Sequence, residues 1–141
     1  MLIKFKKLDE KAVIPSYQRE GDAGLDLVAT SFQYEDNGTM VSYGVGLAVE
    51  IPEGFLGYVM PRSSICNYDL ILSNSMGLID SNYRGEIKAK FKCLTDNFRF
   101  YKIGDRICQL VIMPYPKITP IEALELSETN RNEAGFGSSG R

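Results

Sequence analysis

The segment "GEIKAKFKCL", residues 85 to 94, sets Ile87, Ala89, Phe91 and Cys93 in alternation with Lys88, Lys90 and Lys92. A pleated strand sends successive side chains to opposite faces, so this pattern calls for a sheet with one face buried and the other wet. Much of the remaining chain has the same grain. "LIKFKKL", "LDLVA", "TMVSYGVGLAVEIP", "FLGYVM", "LILSN", "RFYKI" and "ICQLVIMP" are short, rich in β-branched and aromatic residues, and punctuated by Gly, Pro, Asn and Asp. No segment sustains a long apolar period of 3.6. An all-β sandwich or barrel is expected, with one short helical turn at "PRSSICNY" that Ser63 or Ser64 would cap. "ITPIEALEL" reads as a strand, because Ile118, Thr119 and the prolines Pro116 and Pro120 weigh against a helix.

At 141 residues the chain fits one domain, long enough to bury a core without disulfide staples. Sixteen basic against eighteen acidic side chains give a net charge of −2, with no long basic run. That excludes a nucleic-acid polymer as the main partner and leaves room for a small anion at a local arginine cluster. The start "MLIKFKKLDEK" lacks the apolar core of a signal peptide, and no stretch approaches the roughly 20 apolar residues that span a bilayer. A cytoplasmic protein without membrane association is expected. Cys66, Cys93 and Cys108 are odd in number, far apart and set among apolar neighbours, which fits reduced core thiols. Histidine is absent, removing Ser-His-Asp and Cys-His nucleophiles and the common His-rich zinc sites. A general base must then be a carboxylate, a tyrosine or a lysine.

Two segments carry the candidate chemistry. In "SNSMGLIDSNYRGEI", residues 73 to 87, Asp80 directly follows the apolar run Met76, Leu78 and Ile79. It is either a turn acid, in keeping with nearby Gly and Asn, or a reactive base. From Ser127 the character changes: "SETNRNEAGFGSSGR" is polar, rich in glycine and serine, and holds a lone aromatic, Phe136. Such a tail is a disordered end or an appended linker, or else a lid that closes over a flat, anionic ligand. The chain divides at this point into a domain, 1–126, and a flexible arm, 127–141.

Taken in order, "DAGLDL" at 22 to 27, "PRSS" at 61 to 64, "GLIDSNYRGEI" at 77 to 87, "GDRICQLVI" at 104 to 112 and "RNEAGFGSSG" at 131 to 140 resemble the five motifs of the homotrimeric dUTP diphosphatases, the dUTPases. The resemblance spans most of the chain. It implies a distorted jelly-roll and hydrolysis of dUTP to dUMP and pyrophosphate, by water attack on the α-phosphorus with Mg2+. That reaction limits uracil incorporation into DNA and supplies dUMP for dTMP synthesis.

Asp80 matches the family's catalytic aspartate, which orients and deprotonates the water. Its segment looks like the hairpin that reads uracil by backbone groups at Gly77, Leu78 and Ile79, with Asn74 upstream and Lys88 on the return. Tyr83 is similar to the tyrosine that packs under the deoxyribose and excludes a ribose 2′-hydroxyl. Arg62, Ser63, Ser64 and Gln109 would hold phosphate oxygens, and Asp26 would hold water on the metal. In the arm, Arg131 would reach the γ-phosphate, Phe136 would stack on uracil, and Gly137, Ser138 and Ser139 would add phosphate contacts. Asp22 is read as ending a turn, and Asp105 with Arg106 as a structural ion pair outside the site. The family shares each site among three chains, so a homotrimer is implied.

Departures are small. "PRSS" has serine where many members have glycine, and Asn82 stands where an acid is common. Two rivals remain: a dCTP deaminase of the same fold, and a nucleotide-responsive binder of a regulatory protein, for which the loop "SFQYEDNGTM" at 31 to 40 is the candidate surface.

Overall fold

The computed structural model describes residues 1–135, in which ten short strands and two 3₁₀ turns follow the punctuated pattern of the sequence. In chain order the strands are β1 (Lys4–Lys7), β2 (Leu25–Val28), β3 (Ser31–Glu35), β4 (Met40–Gly44), β5 (Leu47–Glu50), β6 (Phe55–Pro61), β7 (Leu70–Leu72), β8 (Gly77–Ile79), β9 (Lys88–Cys93) and β10 (Arg106–Pro114). One four-stranded sheet runs β2-β10-β6-β8, another runs β3-β4-β9-β7, and β1 pairs with β5. Every pairing is antiparallel, in a jelly-roll-like arrangement rather than a closed barrel. No helix among the described residues is long and apolar enough to cross a membrane.

β9 behaves as its alternation requires. Ala89 and Phe91 are buried while Lys88, Lys90 and Lys92 face out. Phe91 lies edge-on to Tyr43 at 5.9 Å and tilted against Tyr101 at the same distance. Around this aromatic centre one core gathers Leu27, Val41, Leu47, Val49, Leu72, Ile107 and Leu110, so all three sheets bury their inner faces together. The Tyr43 hydroxyl, inside that core, donates to the Tyr101 carbonyl at 3.0 Å, and burial pushes its pKa far up. A buried hydroxyl needs such a partner.

Several expectations need correction. "SFQYEDNGTM" is not merely a loop: its first half is β3, paired to β4, and the turn Asp36–Gly38 closes the hairpin with positive φ at Asp36, Asn37 and Gly38. "RFYKI" and "ITPIEALEL" form no strands; Ile118, Ile121, Leu124 and Leu126 stand exposed along an unpaired segment. The helical turn at Ser63–Asn67 is 3₁₀, its N-cap is Arg62, and no side chain caps it; Ser64 Oγ instead lies 3.4 Å from Arg62 Nη1. The thiols are all free, but Cys66 is exposed and Cys93 half-buried. Cys108 alone is a core thiol, pushed by burial up to about 12.

Candidate active site

The register of the β2-β10-β6-β8 sheet decides what faces outward together. Asp26 lies opposite Gln109, Gln109 opposite Met60, Val111 opposite Tyr58, Met113 opposite Leu56, and Tyr58 opposite Leu78. Directly paired residues share a face. The outer surface is therefore polar at the β2 end and apolar toward β8.

At the polar end, Asp26 is gripped from two sides. Arg62 Nε donates to its Oδ1 at 2.8 Å and Arg106 Nη1 to its Oδ2 at 3.0 Å. The carboxylate side chain is only 9% exposed, whereas those of Arg62 and Arg106 are 25% and 45% exposed, so each guanidinium keeps donors turned to solvent. Two arginines on one acid leave a net positive site. Gln109 joins them, its Nε2 donating to the Pro61 carbonyl at 3.0 Å and its oxygen packed over Gly24. A Cβ at Gly24 would collide with that oxygen, so glycine here is set by close approach. Arg62, Ser63, Gln109, Asp26 and Arg106 line a cleft of about 660 Å³ with Arg19 and Gln18. Asp22 accepts from the Arg19 amide at 2.9 Å and ends a turn, as expected. Arg106 was placed outside the site by sequence; Asp105 instead accepts from the Lys102 amide at 2.7 Å, leaving Arg106 to Asp26.

The second cleft, of about 270 Å³, is formed by Asn74, Gly77, Leu78, Ile79, Asp80, Tyr83, Glu86 and Lys88 with Val59 beneath. β8 ends at Ile79, and the Tyr83 amide donates to the Asp80 carbonyl at 3.0 Å, making a turn that lifts Asp80 to the rim. Asp80 is exposed, contrary to a carboxylate enclosed by its apolar neighbours, and among the described residues its side chain accepts no hydrogen bond. The Tyr83 ring folds over Gly85 and its hydroxyl donates to the Glu86 carbonyl at 2.9 Å. Arg84 Nη1 braces the turn through the carbonyls of Ser81 and Tyr83, at 2.6 and 2.9 Å.

Glu86, unnoticed in the sequence, anchors the hairpin. Its Oε1 accepts from the Gly46 amide at 3.0 Å and its Oε2 lies 3.5 Å from Lys88 Nζ. Gly44 leaves the space its carboxyl group fills. The signal in the sequence was the "YGVG" pair of glycines, whose purpose needs the long-range partner to be understood.

The two clefts share no lining residue. The arginine cluster, Ser63 and Gln109 come together; Asn74, Gly77, Leu78, Ile79, Asp80, Tyr83 and Lys88 come together; the two groups do not meet within one chain. Arg131 reaches neither, its Nε held by the Ala134 carbonyl at 2.8 Å. Phe136, Gly137, Ser138 and Ser139 lie outside the described residues.

An all-β fold with a net-positive arginine cleft and a hairpin cleft whose rim carboxylate accepts no hydrogen bond among the described residues defines a class of jelly-roll-like proteins equipped for phosphorylated ligands. The dUTPase family model matches residues 10–140, nearly the whole chain, and the chain belongs to that family. It is 40% identical over 146 residues to a deoxyuridine 5′-triphosphate nucleotidohydrolase of Hydrogenobaculum sp., covering 99% of each. To a Helicobacter hepaticus protein of the same name it is 42% identical over 145 residues, covering 99% of this chain and 89% of that one. Among solved structures, a Staphylococcus bacteriophage 80alpha dUTPase with dUPNHPP superposes with a TM-score of 0.84 at 26% identity, covering 99% of both chains.

Proposed function

We propose that this protein hydrolyses dUTP to dUMP and pyrophosphate, with Asp80 as the base. Family membership and relatives named for this reaction support the activity. The observation that carries the residue assignment is the pairing of a net-positive arginine cleft with a hairpin cleft whose rim holds a carboxylate that accepts no hydrogen bond among the described residues. Asp80 takes a proton from water as that water's oxygen bonds to the α-phosphorus; the bond to the bridging oxygen breaks and pyrophosphate leaves. Arg62, with Ser63, Ser64 and Gln109, holds phosphate oxygens, and Arg106 joins them. Arginine suits this work because its planar fork of donors matches phosphate geometry.

Uracil would sit on β8 and the turn after it, read by the backbone of Gly77, Leu78 and Ile79, with Asn74 and Lys88 at the edges. Tyr83, tied to Glu86, would form the sugar floor that rejects a 2′-hydroxyl. Such a reaction limits uracil incorporation into DNA and yields dUMP for dTMP synthesis.

Mg2+ fits this donor set only as a metal carried by the phosphates. No cluster of three candidate ligands exists among the described residues. Each oxygen of Asp26 already accepts one N–H yet keeps a lone pair, which suits hydrogen bonding to metal-bound water rather than direct ligation. When bound, Mg2+ would offset charge on the departing pyrophosphate.

The separation of the two clefts supports a site shared between chains in a homotrimer. The partly exposed apolar surface of Leu56, Tyr58, Met60, Leu78, Val111 and Met113 is a surface that another copy would cover. Residues 127–141 would act as the arm that closes over a neighbour, bringing Arg131 to the γ-phosphate, Phe136 to the base, and Gly137, Ser138 and Ser139 to the phosphates.

The test is pyrophosphate release with Mg2+ from dUTP, dTTP, dCTP and UTP in parallel, with sedimentation of the same sample. Release from dUTP alone by a trimer is expected; equal release from UTP, or activity in a monomer, would overturn the sugar and shared-site assignments. Gly24→Ala is expected to push Gln109 off the Pro61 carbonyl and raise KM for dUTP about 10- to 150-fold, since a hydrogen bond to a charged group is worth about 1.5–3 kcal/mol. A steady-state KM equal to that of the unaltered protein would remove Gln109 from the phosphate site.

A further inference from the structure

Tyr83 is 43% exposed, so the core does not hold its ring. The ring lies over Gly85, where a Cβ would collide with it, and glycine lends the backbone beneath it little stiffness. Among the described residues its side chain has one hydrogen bond, donated by the hydroxyl to the Glu86 carbonyl at 2.9 Å. How firmly the ring stands is therefore decided by what holds Glu86.

That residue is fixed to the core by its own side chain. The bend at residues 45 to 47 clasps the return of the hairpin: the Val45 amide donates to the Ile87 carbonyl at 3.2 Å and the Ile87 amide to the Leu47 carbonyl at 2.9 Å. Between them Gly46, buried and at a φ of 64°, turns its amide to Glu86 Oε1 at 3.0 Å. A buried N–H must find a partner, and among the described residues this amide has only that carboxylate. Gly44 leaves the carboxyl group its space on one side, and Lys88 Nζ stands 3.5 Å from Oε2 on the other. Only 26% of the Glu86 side chain is exposed in this socket.

We infer that Glu86 is a positioning residue for sugar selection: its carboxylate locks it to the Gly46 amide, its carbonyl locks the Tyr83 hydroxyl, and together they set how strictly the tyrosine rejects a ribose. Excluding a 2′-hydroxyl is steric work, and a wall rejects a group only as firmly as it resists being pushed aside. Tied to an unanchored Glu86, Tyr83 would tilt about Gly85 and admit the extra oxygen. Tied to the anchored residue, it stands fast, and Glu86 achieves this without touching the nucleotide. The inference rests on the assignment of Tyr83 as the sugar floor.

The full-length protein, Glu86→Ala, Glu86→Gln, Tyr83→Phe and the Tyr83→Phe/Glu86→Ala double variant are titrated with dUMP and with UMP by calorimetry, each below its thermal midpoint. The ratio of the two dissociation constants is the readout. The unaltered protein should prefer dUMP, and Glu86→Ala should narrow that preference about 10-fold, out of the roughly 10²-fold that a pocket imposes on an added hydroxyl. Glu86→Gln keeps an oxygen that accepts from Gly46 and should recover the preference to within about 3-fold. Tyr83→Phe should narrow it as Glu86→Ala does, and the double variant no further, because both cut the same chain of contacts. A preference kept in Glu86→Ala, no recovery in Glu86→Gln, or additive losses in the double variant would overturn the inference and leave the sugar floor standing. Equal binding of dUMP and UMP by the unaltered protein would overturn the sugar floor and this inference with it. Because these ligands bind without being hydrolysed, coupled losses in a protein that leaves dUTP intact would uphold the inference and defeat the assignment of dUTP hydrolysis.

Discussion

Asp80→Asn is expected to cut kcat for dUTP by about 10²- to 10⁴-fold, the usual contribution of a positioned general base. Asn is nearly isosteric and keeps the backbone carbonyl that receives the Tyr83 amide, so the turn after β8 should survive. The side chain makes no hydrogen bond within the described chain, so nothing structural is lost with its charge. Thermal midpoint and dUTP affinity should therefore stay close to those of the parent. Single-turnover pyrophosphate release on nucleotide-saturated protein isolates the chemical step. A variant that turns over at more than a tenth of the parent rate would remove Asp80 from the role of base, and one that no longer binds would make it a binding residue instead.

Phe91→Ala is expected to destabilise the fold by about 3–5 kcal/mol, the range for a truncated core aromatic. Phe91 has no exposed surface and touches both Tyr43 and Tyr101, whose mutual hydrogen bond crosses the same space. Strands β4 and β7 flank it at Val41 and Leu72, so the cavity cannot collapse without moving two ladders. Urea titration at one fixed protein concentration measures this, because the proposed assembly would make the midpoint concentration-dependent. A loss below about 1 kcal/mol would mean that the core refills the gap, against the close packing of protein interiors.

What the sequence disclosed depended on how local the cause was. β9 could be read from alternation alone, since its inner and outer faces differ in every residue from Lys88 to Phe91. β3 escaped notice because Phe32 is covered by Phe100, a partner far along the chain, as well as by Tyr43 across the hairpin. "ITPIEALEL" was expected to be a strand from residue type, but a strand also requires a neighbour to complete its hydrogen bonds, and Ile118 and Leu124 face open solvent in the single chain. Asp105 and Arg106 look like an ion pair only on paper: Asp105 closes the turn from Lys102 with its own carboxylate, and Arg106, the first residue of β10, reaches Asp26 across the β10–β2 ladder.

For the site, family resemblance named Asp26, Arg62, Ser63 and Gln109, which line one cleft, and Asn74, Gly77, Leu78, Ile79, Asp80, Tyr83 and Lys88, which line the other, whereas Ser64 and Arg131 line neither. It did not reveal Arg106 or Glu86, because each is defined by a tertiary partner rather than by a motif. Their contacts are visible only once β2 meets β10 and the hairpin meets the Gly44–Gly46 bend.

The division of hairpin and arginine cluster into clefts with no common residue has an allelic consequence under the shared-site assembly. Chains bearing Asp80→Asn and chains bearing Arg62→Ala, each inactive alone, would rescue one another when refolded as a mixture. Random association unites an intact hairpin with an intact arginine cluster at about a quarter of the sites. By the same arithmetic a single faulty copy of the gene is felt beyond its own product, because every damaged chain withdraws half a site from a sound neighbour.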